Sequence, residues 1–228
     1  MEIVLVRHGQ PEWIRDDLNV DNPPLTALGF EQAQCVAQAL AGERFDEIWV
    51  SPLVRAQQTA KPLLAQRNIA VGPEVTQDWL EEIRNPLWHG TPRQKADDAY
   101  REERNRVAEK RWDGLTDGEP VRDFVQRIHR GADSFLKDRG ITASPQELPV
   151  WHIDNPDRKI LCVAHAGTNS VLICHLLGIS ATPWEWERFI INHASLTTIK
   201  AIKLGDGYAF SLERLSDVEH LSEEDRTR

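Results

Sequence analysis

Two histidines and two arginines stand in this chain where a fold can bring them together. Arg7-His8 follows directly on the apolar run Ile3-Val4-Leu5-Val6, and His165 closes the run Ile160-Leu161-Cys162-Val163-Ala164. Arg55 comes shortly after a third run that ends at Val50. If these runs are parallel strands, the turns at their carboxyl ends deliver all four groups to one rim, where open α/β sheets hold ligands. Guanidinium forks are matched to oxyanions, and helices starting after Ser51 and after Gly167 would add oriented amides and positive partial charge. The array suits a tetrahedral dianion. Phosphoryl transfer asks for in-line geometry and neutralised equatorial charge more than for elaborate covalent machinery. A neutral imidazole can supply the nucleophile, one nitrogen attacking while the other donates to a carbonyl that fixes the tautomer. A carboxylic acid must then protonate the leaving oxygen and later activate water. Asp78, Glu81 and Glu82 offer three candidates within one short segment.

The elements that must position these groups are legible in outline. Ile3 to Val6 and Ile160 to Ala164 are continuous apolar runs, the pattern of strands buried on both faces of a parallel sheet, and Asp46 to Val50 gives another strand. Gly9 is expected to supply a backbone conformation closed to other residues, so that the chain bends away after His8. Thr26 is a predicted N-cap for a helix carrying Ala33, Val36, Ala37 and Leu40 at helical spacing, with Gly42 as its stop. Ser51-Pro52 reads as N-cap and first helical position of the helix bearing Arg55. Asn68 to Val75 is predicted to hold a short strand. Val121, Phe124, Val125, Ile128, Ala132, Phe135 and Leu136 form one stripe on a helix over Pro120 to Lys137. Thr168 to Leu177 is predicted as a helix stopped by Gly178, and Gly140 to Pro156 as a loop. Arg188 to Ile191, Ser195 to Lys203 and Tyr208 to Arg214 are predicted strands, the last two joined through Gly205-Asp206-Gly207 as a hairpin. From Asn85 to Gly118 the composition changes to dense mixed charge, with a helix predicted from Arg93 to Arg111 and little apolar content to bury. The succession predicts an α/β fold, a three-layer α/β/α arrangement with a mostly parallel central sheet. A helical cap is inserted at about 84–118, in a single domain over 1–228 with a flexible acidic tail at about 216–228.

Composition narrows the partners. The formal net charge of -9 and pI near 5.4 disfavour binding to nucleic acid or an anionic membrane, since long-range repulsion acts against both. A phosphorylated ligand would be repelled too, so its site must gather positive charge locally. Cys35, Cys162 and Cys174 sit in apolar runs, as buried thiols of a reducing compartment do. With no leader pattern and no apolar run of membrane-spanning length, a cytoplasmic location is expected. The eight histidines show no paired metal-ligand spacing, so no metal and no cofactor is expected. Oligomeric state leaves no mark in the sequence.

Four motifs occur in order: Arg7-His8-Gly9 after a strand, Ser51-Pro52-Leu53-Val54-Arg55-Ala56-Gln57-Gln58-Thr59-Ala60, Leu80-Glu81-Glu82-Ile83, and Val163-Ala164-His165-Ala166-Gly167. Pro24-Leu25-Thr26-Ala27-Leu28-Gly29 and Gly118-Glu119-Pro120 add two supporting matches. On these residues the chain resembles the histidine phosphatase superfamily, also called phosphoglycerate mutase-like, from Met1 to about Leu204. The resemblance implies that His8 is a nucleophile forming a phosphohistidine, and that Arg7, Arg55, His165 and the helix start at Ala166 clamp the phosphoryl group. It also implies that the acid is Glu82, which fits the family's Leu, variable, Glu, aliphatic pattern, with Glu81 as runner-up. The family commonly has Glu and then Ser or Thr after Arg-His-Gly, and an Asn after the following Trp. This chain has Gln10, Pro11 and, after Trp13, Ile14. Gln10 and Asn19 are the expected replacements, and Trp88 an expected substrate contact. The implied activity is metal-independent hydrolysis of a small phosphorylated metabolite. Phosphoglycerate mutase-type transfer is the nearest alternative, and a noncatalytic phospholigand-binding module the alternative from another class. His89 and His193 are read as mainly structural, at the border of the pocket.

Overall fold

The computed structural model describes residues 1–145 and 148–228. Among the described residues nine strands are formed: β1 (Glu2–Arg7), β2 (Ile14–Arg15), β3 (Leu18–Asn19), β4 (Glu47–Val50), β5 (Ile141–Ala143), β6 (Trp151–Ile153), β7 (Lys159–Ala164), β8 (Leu196–Leu204) and β9 (Gly207–Asp217). The α-helices are α1 (Ala27–Ala39), α2 (Val54–Ala65), α3 (Arg93–Arg104), α4 (Val121–Lys137), α5 (Ala166–Leu177) and the single turn α6 (Glu185–Arg188). Seven strands form one sheet in the order β4-β7-β1-β8-β9-β6-β5, while β2 and β3 make a small separate ribbon.

Because the side chains of a strand alternate between faces, β1 serves two cores at once. Ile3 and Leu5 join a cluster with Phe124, Ile128 and Phe135 of α4 and Ile173 of α5, whereas Val4 and Val6 join Val36 of α1 and Leu63 and Leu64 of α2. Each such side chain, fully withdrawn from water, contributes about 1.5–3 kcal/mol. Helices thus cover both faces of the sheet, as expected.

The sheet is mixed, which corrects the expectation of a mostly parallel one. Only β4, β7 and β1 run parallel; β8 lies antiparallel to β1, and β9, β6 and β5 continue antiparallel. The predicted hairpin forms, but it docks beside β1 rather than at the margin, and strands β5 and β6 extend it. Those two have three residues each, too few to show periodicity, and they fall in the stretch predicted as loop, of which 146–147 lie outside the described residues.

Other boundaries moved for local reasons. The 68–75 segment ends in a 3-10 turn at Pro73–Val75 rather than a strand, and Arg188 closes α6 where a strand was predicted. The helix predicted from Arg93 to Arg111 stops at Arg104, followed by a 3-10 stretch at Ala108–Asp113. Thr26 does cap α1, its hydroxyl accepting from Gly29 N at 3.0 Å. Gly178 ends α5 with φ of 68°. Cys162 and Cys174 are buried, Cys35 is half-buried, and all three are free thiols. No helix among the described residues is long and apolar enough to cross a membrane.

Gly9 does not take a positive φ. Its need is for space: a Cβ at Gly9 would lie 2.5 Å from the Gly29 carbonyl oxygen, and one at Gly29 2.2 Å from that of Gln10. The loop after His8 therefore lies flat against the start of α1, backbone on backbone. Gly9→Ala is expected to force them apart at a cost of about 1–3 kcal/mol. That would lower Tm by roughly 2–10 °C in a thermal melt, and an unchanged Tm would show that the loop can yield.

Candidate active site

The parallel half of the sheet carries His8, Arg55 and His165 to one rim. His8 N donates to Ala164 O at 3.0 Å, and Ala194 N donates to His8 O at 3.1 Å, so the residue is held by the strands on either side. Its Nδ1 lies 2.7 Å from Gly9 O. A carbonyl only accepts, so Nδ1 carries the proton and Nε2 keeps a free lone pair. Arg55 Nε donates to that lone pair at 3.2 Å. Gly9 N donates to Thr59 Oγ1 at 2.9 Å, and this hydroxyl donates to Arg55 O at 2.7 Å, fixing the first turns of α2 against the His8 loop.

Ser51 does not cap α2, whose N-cap is Leu53. Its hydroxyl accepts from Leu53 N at 3.3 Å and lies 2.7 Å from His165 Nε2. A hydroxyl that accepts from Leu53 N can donate to Nε2, and in that arrangement the proton of His165 stands on Nδ1. That Nδ1 is buried and has no protein partner. The two imidazoles face each other with ring centroids 5.0 Å apart.

Arg7 donates from Nη1 to Ile191 O at 2.5 Å and from Nη2 to His193 Nε2 at 2.9 Å, and its Nε is buried and unpartnered. The Arg55 guanidinium lies over the Trp13 ring at 4.8 Å. Both arginines are pushed down to about 10, mainly by burial, with the Glu82 charge opposing; both stay charged at neutral pH. Their hydrogen-bond partners are a carbonyl and two imidazoles, not carboxylates. Buried positive charge without a paired anion is costly, and the site therefore favours binding one.

Glu82 faces this cluster. Its Oε2 accepts from Gly167 N at 2.8 Å and its Oε1 from Ile83 N at 3.0 Å. A Cβ at Gly167 would meet Glu82 Oε1 at 2.5 Å, so a larger residue there would displace the carboxylate. Glu81 turns away to pair with Arg84 at 2.7 Å, and Asp78 is exposed in a 3-10 turn. A cavity of about 400 Å³ opens over the cluster, with Arg7, Arg55, Glu82, Ala166 and Gly167 in its lining and Trp13, Tyr100 and Trp186 among its walls.

The three expected substrate contacts lie elsewhere. Gln10 Oε1 accepts from Thr26 Oγ1 at 2.9 Å, Asn19 Nδ2 is spent on Thr91 and Pro92, and Trp88 is buried edge-on against Tyr100 beside a separate hollow. His193 was read as mainly structural, yet its ring centroid is 5.6 Å from that of His8. The antiparallel approach of β8 explains this, because it sets the residues before Leu196 beside the end of β1. Among the described residues no group of three or more His, Cys, Asp or Glu is placed to hold a metal ion.

The buried imidazoles tie stability to pH. His8 and His165 are held well below the ordinary histidine range by burial and then by Arg55, and His193 is pushed down to about 3 by burial and Arg7. An unfolded histidine titrates near ~6.5, so below that pH the unfolded chain binds more protons. Stability is thus full above about pH 6.5 and falls with acidification, by about 1.4 kcal/mol per pH unit for each histidine. Urea unfolding between pH 7.5 and 5.5 measures this; a flat profile would mean that these imidazoles are not neutral in the native state.

Fold and site together define a class: an α/β protein whose sheet rim gathers two imidazoles and two unpaired guanidinium groups around a place for one anion, with a carboxylate facing them. The chain belongs to the histidine phosphatase superfamily (branch 1), whose family model matches residues 3–215. It is 33% identical over 225 residues to adenosylcobalamin/alpha-ribazole phosphatase of Escherichia coli (strain K12), covering 90% of this chain and 98% of that protein. It is 26% identical over 201 residues to phosphoserine phosphatase 1 of Hydrogenobacter thermophilus, covering 87% and 86%. Among solved structures, the alpha-ribazole phosphatase from Shigella flexneri superposes with a TM-score of 0.69 at 25% identity, covering 95% of this chain and 96% of that one.

Proposed function

We propose that the protein hydrolyses phosphomonoesters of small metabolites through a phosphohistidine on His8. The observation that carries this reading is the tautomer of His8: Nδ1–H is fixed on Gly9 O, so the Nε2 lone pair is directed into a group of buried, carboxylate-free cations. That lone pair accepts from Arg55 Nε. An arriving phosphate dianion draws the guanidinium onto its oxygens, because a charge-assisted bond to an anion outcompetes one to a neutral imidazole, and the nucleophile is uncovered in the same movement.

His8 Nε2 then attacks phosphorus while the bond to the leaving oxygen breaks. Arg7, through its unpartnered Nε, and His165, through its unpartnered Nδ1–H, hold the equatorial oxygens as charge develops. Glu82 delivers a proton to the leaving alkoxide. In the second half the Glu82 carboxylate takes a proton from water, the water oxygen bonds phosphorus, the N–P bond breaks and inorganic phosphate departs. The activities in the names of the relatives support a small phosphorylated metabolite as substrate.

The test is release of inorganic phosphate from a chromogenic phosphate ester and a panel of phosphorylated metabolites, with and without chelator. A parallel arm supplies 3-phosphoglycerate with its bisphosphate primer. Hydrolysis that survives chelation is the expected result. Isomerisation of 3-phosphoglycerate outrunning hydrolysis would assign the mutase reaction instead, and no turnover with any ester would leave a phospholigand-binding module.

A further inference from the structure

We infer that the carboxyl-terminal segment 218–228 is a positioning element for the anion clamp, acting through Thr227 on His193 and through His193 on Arg7. The inference rests on the reading above only in taking phosphate as the anion.

The path begins with topology. Asp217, the last residue of β9, pairs with Leu196, and Leu196 pairs with Val6, so the chain leaves the sheet at the rim where the site lies. The segment is acidic and polar, the composition that predicted a flexible tail, yet it is bound at both ends. Leu221 is 3% exposed in the core shared by α1 and α2, and His220 Nε2 donates to Ala194 O at 2.9 Å. At the far end, Gln32 of α1 donates from Nε2 to Asp225 O at 2.6 Å and to Thr227 Oγ1 at 3.0 Å. Gln32 is fully buried, and its Oε1 accepts from Gln10 N at 2.8 Å, directly after the His8-Gly9 turn.

Thr227 also meets His193 twice. His193 N donates to Thr227 O at 3.0 Å, and His193 Nδ1 lies 3.0 Å from Thr227 Oγ1. The other ring nitrogen, Nε2, faces Arg7 Nη2 at 2.9 Å. A guanidinium can only donate, so Nε2 must be bare and Nδ1 must carry the proton, which the Thr227 hydroxyl accepts. Without that acceptor the ring is free to place its proton on Nε2 and set donor against donor at Arg7. Gln10, Gln32, Thr227, His193 and Arg7 thus close a circuit from one side of the nucleophile to the other. Its effect is to hold one N–H of Nη2 on His193 and one of Nη1 on Ile191, so that Nε–H and the second hydrogens of Nη1 and Nη2 are left for the ligand.

Thr227→Val removes the acceptor at constant shape. Calorimetric titration with inorganic phosphate should show affinity weakened roughly tenfold, the scale of one hydrogen bond to a charged group, with kcat/KM for a chromogenic ester falling in step. Thr227→Ser should restore both, and Glu224→Ala, exposed on the same segment, should leave both unchanged. His193→Ala should weaken binding by a similar factor, and the double variant should be no weaker than His193→Ala alone. Nitrogen-15 chemical shifts of His193 give the signature that a merely structural role would not move: a single Nδ1–H tautomer in the wild type and a mixture in Thr227→Val. Additive effects in the double variant, or a Thr227→Val protein with wild-type phosphate affinity and an unmixed tautomer, would overturn the inference. Wild-type protein that binds no phosphate would count against the phosphatase reading instead, and the tautomer measurement would still decide the role of the segment.

Discussion

His8→Ala is expected to leave a folded protein with kcat reduced by ~10⁴-fold or more, the scale seen when a covalent nucleophile is deleted. Binding should survive. Arg7, Arg55 and His165 hold their places through Ile191, Trp13, Thr59 and Ser51, not through the His8 ring alone. Arg55 Nε, relieved of its bond to Nε2, becomes a free donor to phosphate, so inorganic phosphate should bind this variant at least as tightly as the wild type. Two measurements separate nucleophile from bystander. Rapid quenching of the wild type with a labelled ester should trap protein-bound phosphate that is labile to acid and stable to base, as a phosphoramidate is. The variant should trap none. Turnover unchanged by the substitution would remove His8 from the chemistry altogether.

How much of this was legible beforehand depended on the kind of signal each element leaves. β1 and β7 are buried on both faces, so their apolar runs mark strand ends without ambiguity, and Arg7, His8 and His165 follow from them. Arg55 was found for a partly mistaken reason: Ser51 looks like an N-cap because Ser-Pro usually is one, whereas its hydroxyl is committed to His165. A side chain that works for a residue far away in sequence carries no local sign of doing so. The same holds for Gly9, which resembles a turn glycine yet is required by the carbonyl of Gly29. The place of His193 beside His8 depends on β8 running antiparallel beside β1, a choice made by sheet assembly and invisible in periodicity. Composition predicts a flexible tail because acidic, polar residues offer little to bury, and it carries no sign of the hydrogen bonds that Gln32 and His193 make to Thr227. Gln10 and Asn19 were expected to replace a missing phosphate ligand, but the Gln10 side-chain oxygen accepts from Thr26 at the start of α1 and the Asn19 amide donates to Thr91 and Pro92, while Trp88 packs on Tyr100. Of the aromatic walls of the cavity, Tyr100 sits on the helix predicted from Arg93, whereas Trp186 comes from the single turn α6, too short to leave a repeating pattern.

Glu82→Gln is expected to lower kcat by ~10²–10⁴-fold, the range for a general acid and base in one position, while Glu81→Gln stays near the wild type because its carboxylate is tied to Arg84 and does not itself line the cavity. The shape of the loss is more informative than its size. Gln has one acceptor oxygen where Glu82 uses two, for Gly167 N and Ile83 N, so part of any decrease could come from a displaced segment. That contribution would be the same for every substrate. Loss of proton transfer would not be: a nitrophenolate leaves without help, so the first half-reaction should proceed in the variant and produce a burst equal to the enzyme concentration, after which water attacks slowly and phosphohistidine accumulates. An alkyl phosphate needs the proton at the leaving oxygen, so its first step should slow and no burst appear. A burst with the aryl ester and none with the alkyl ester assigns both proton transfers to this one carboxyl group. Equal losses on both esters, without a trapped intermediate, would mean that Glu82 only shapes the cavity and that the acid lies elsewhere along its wall, with Glu103, Glu119 and Glu187 next in line.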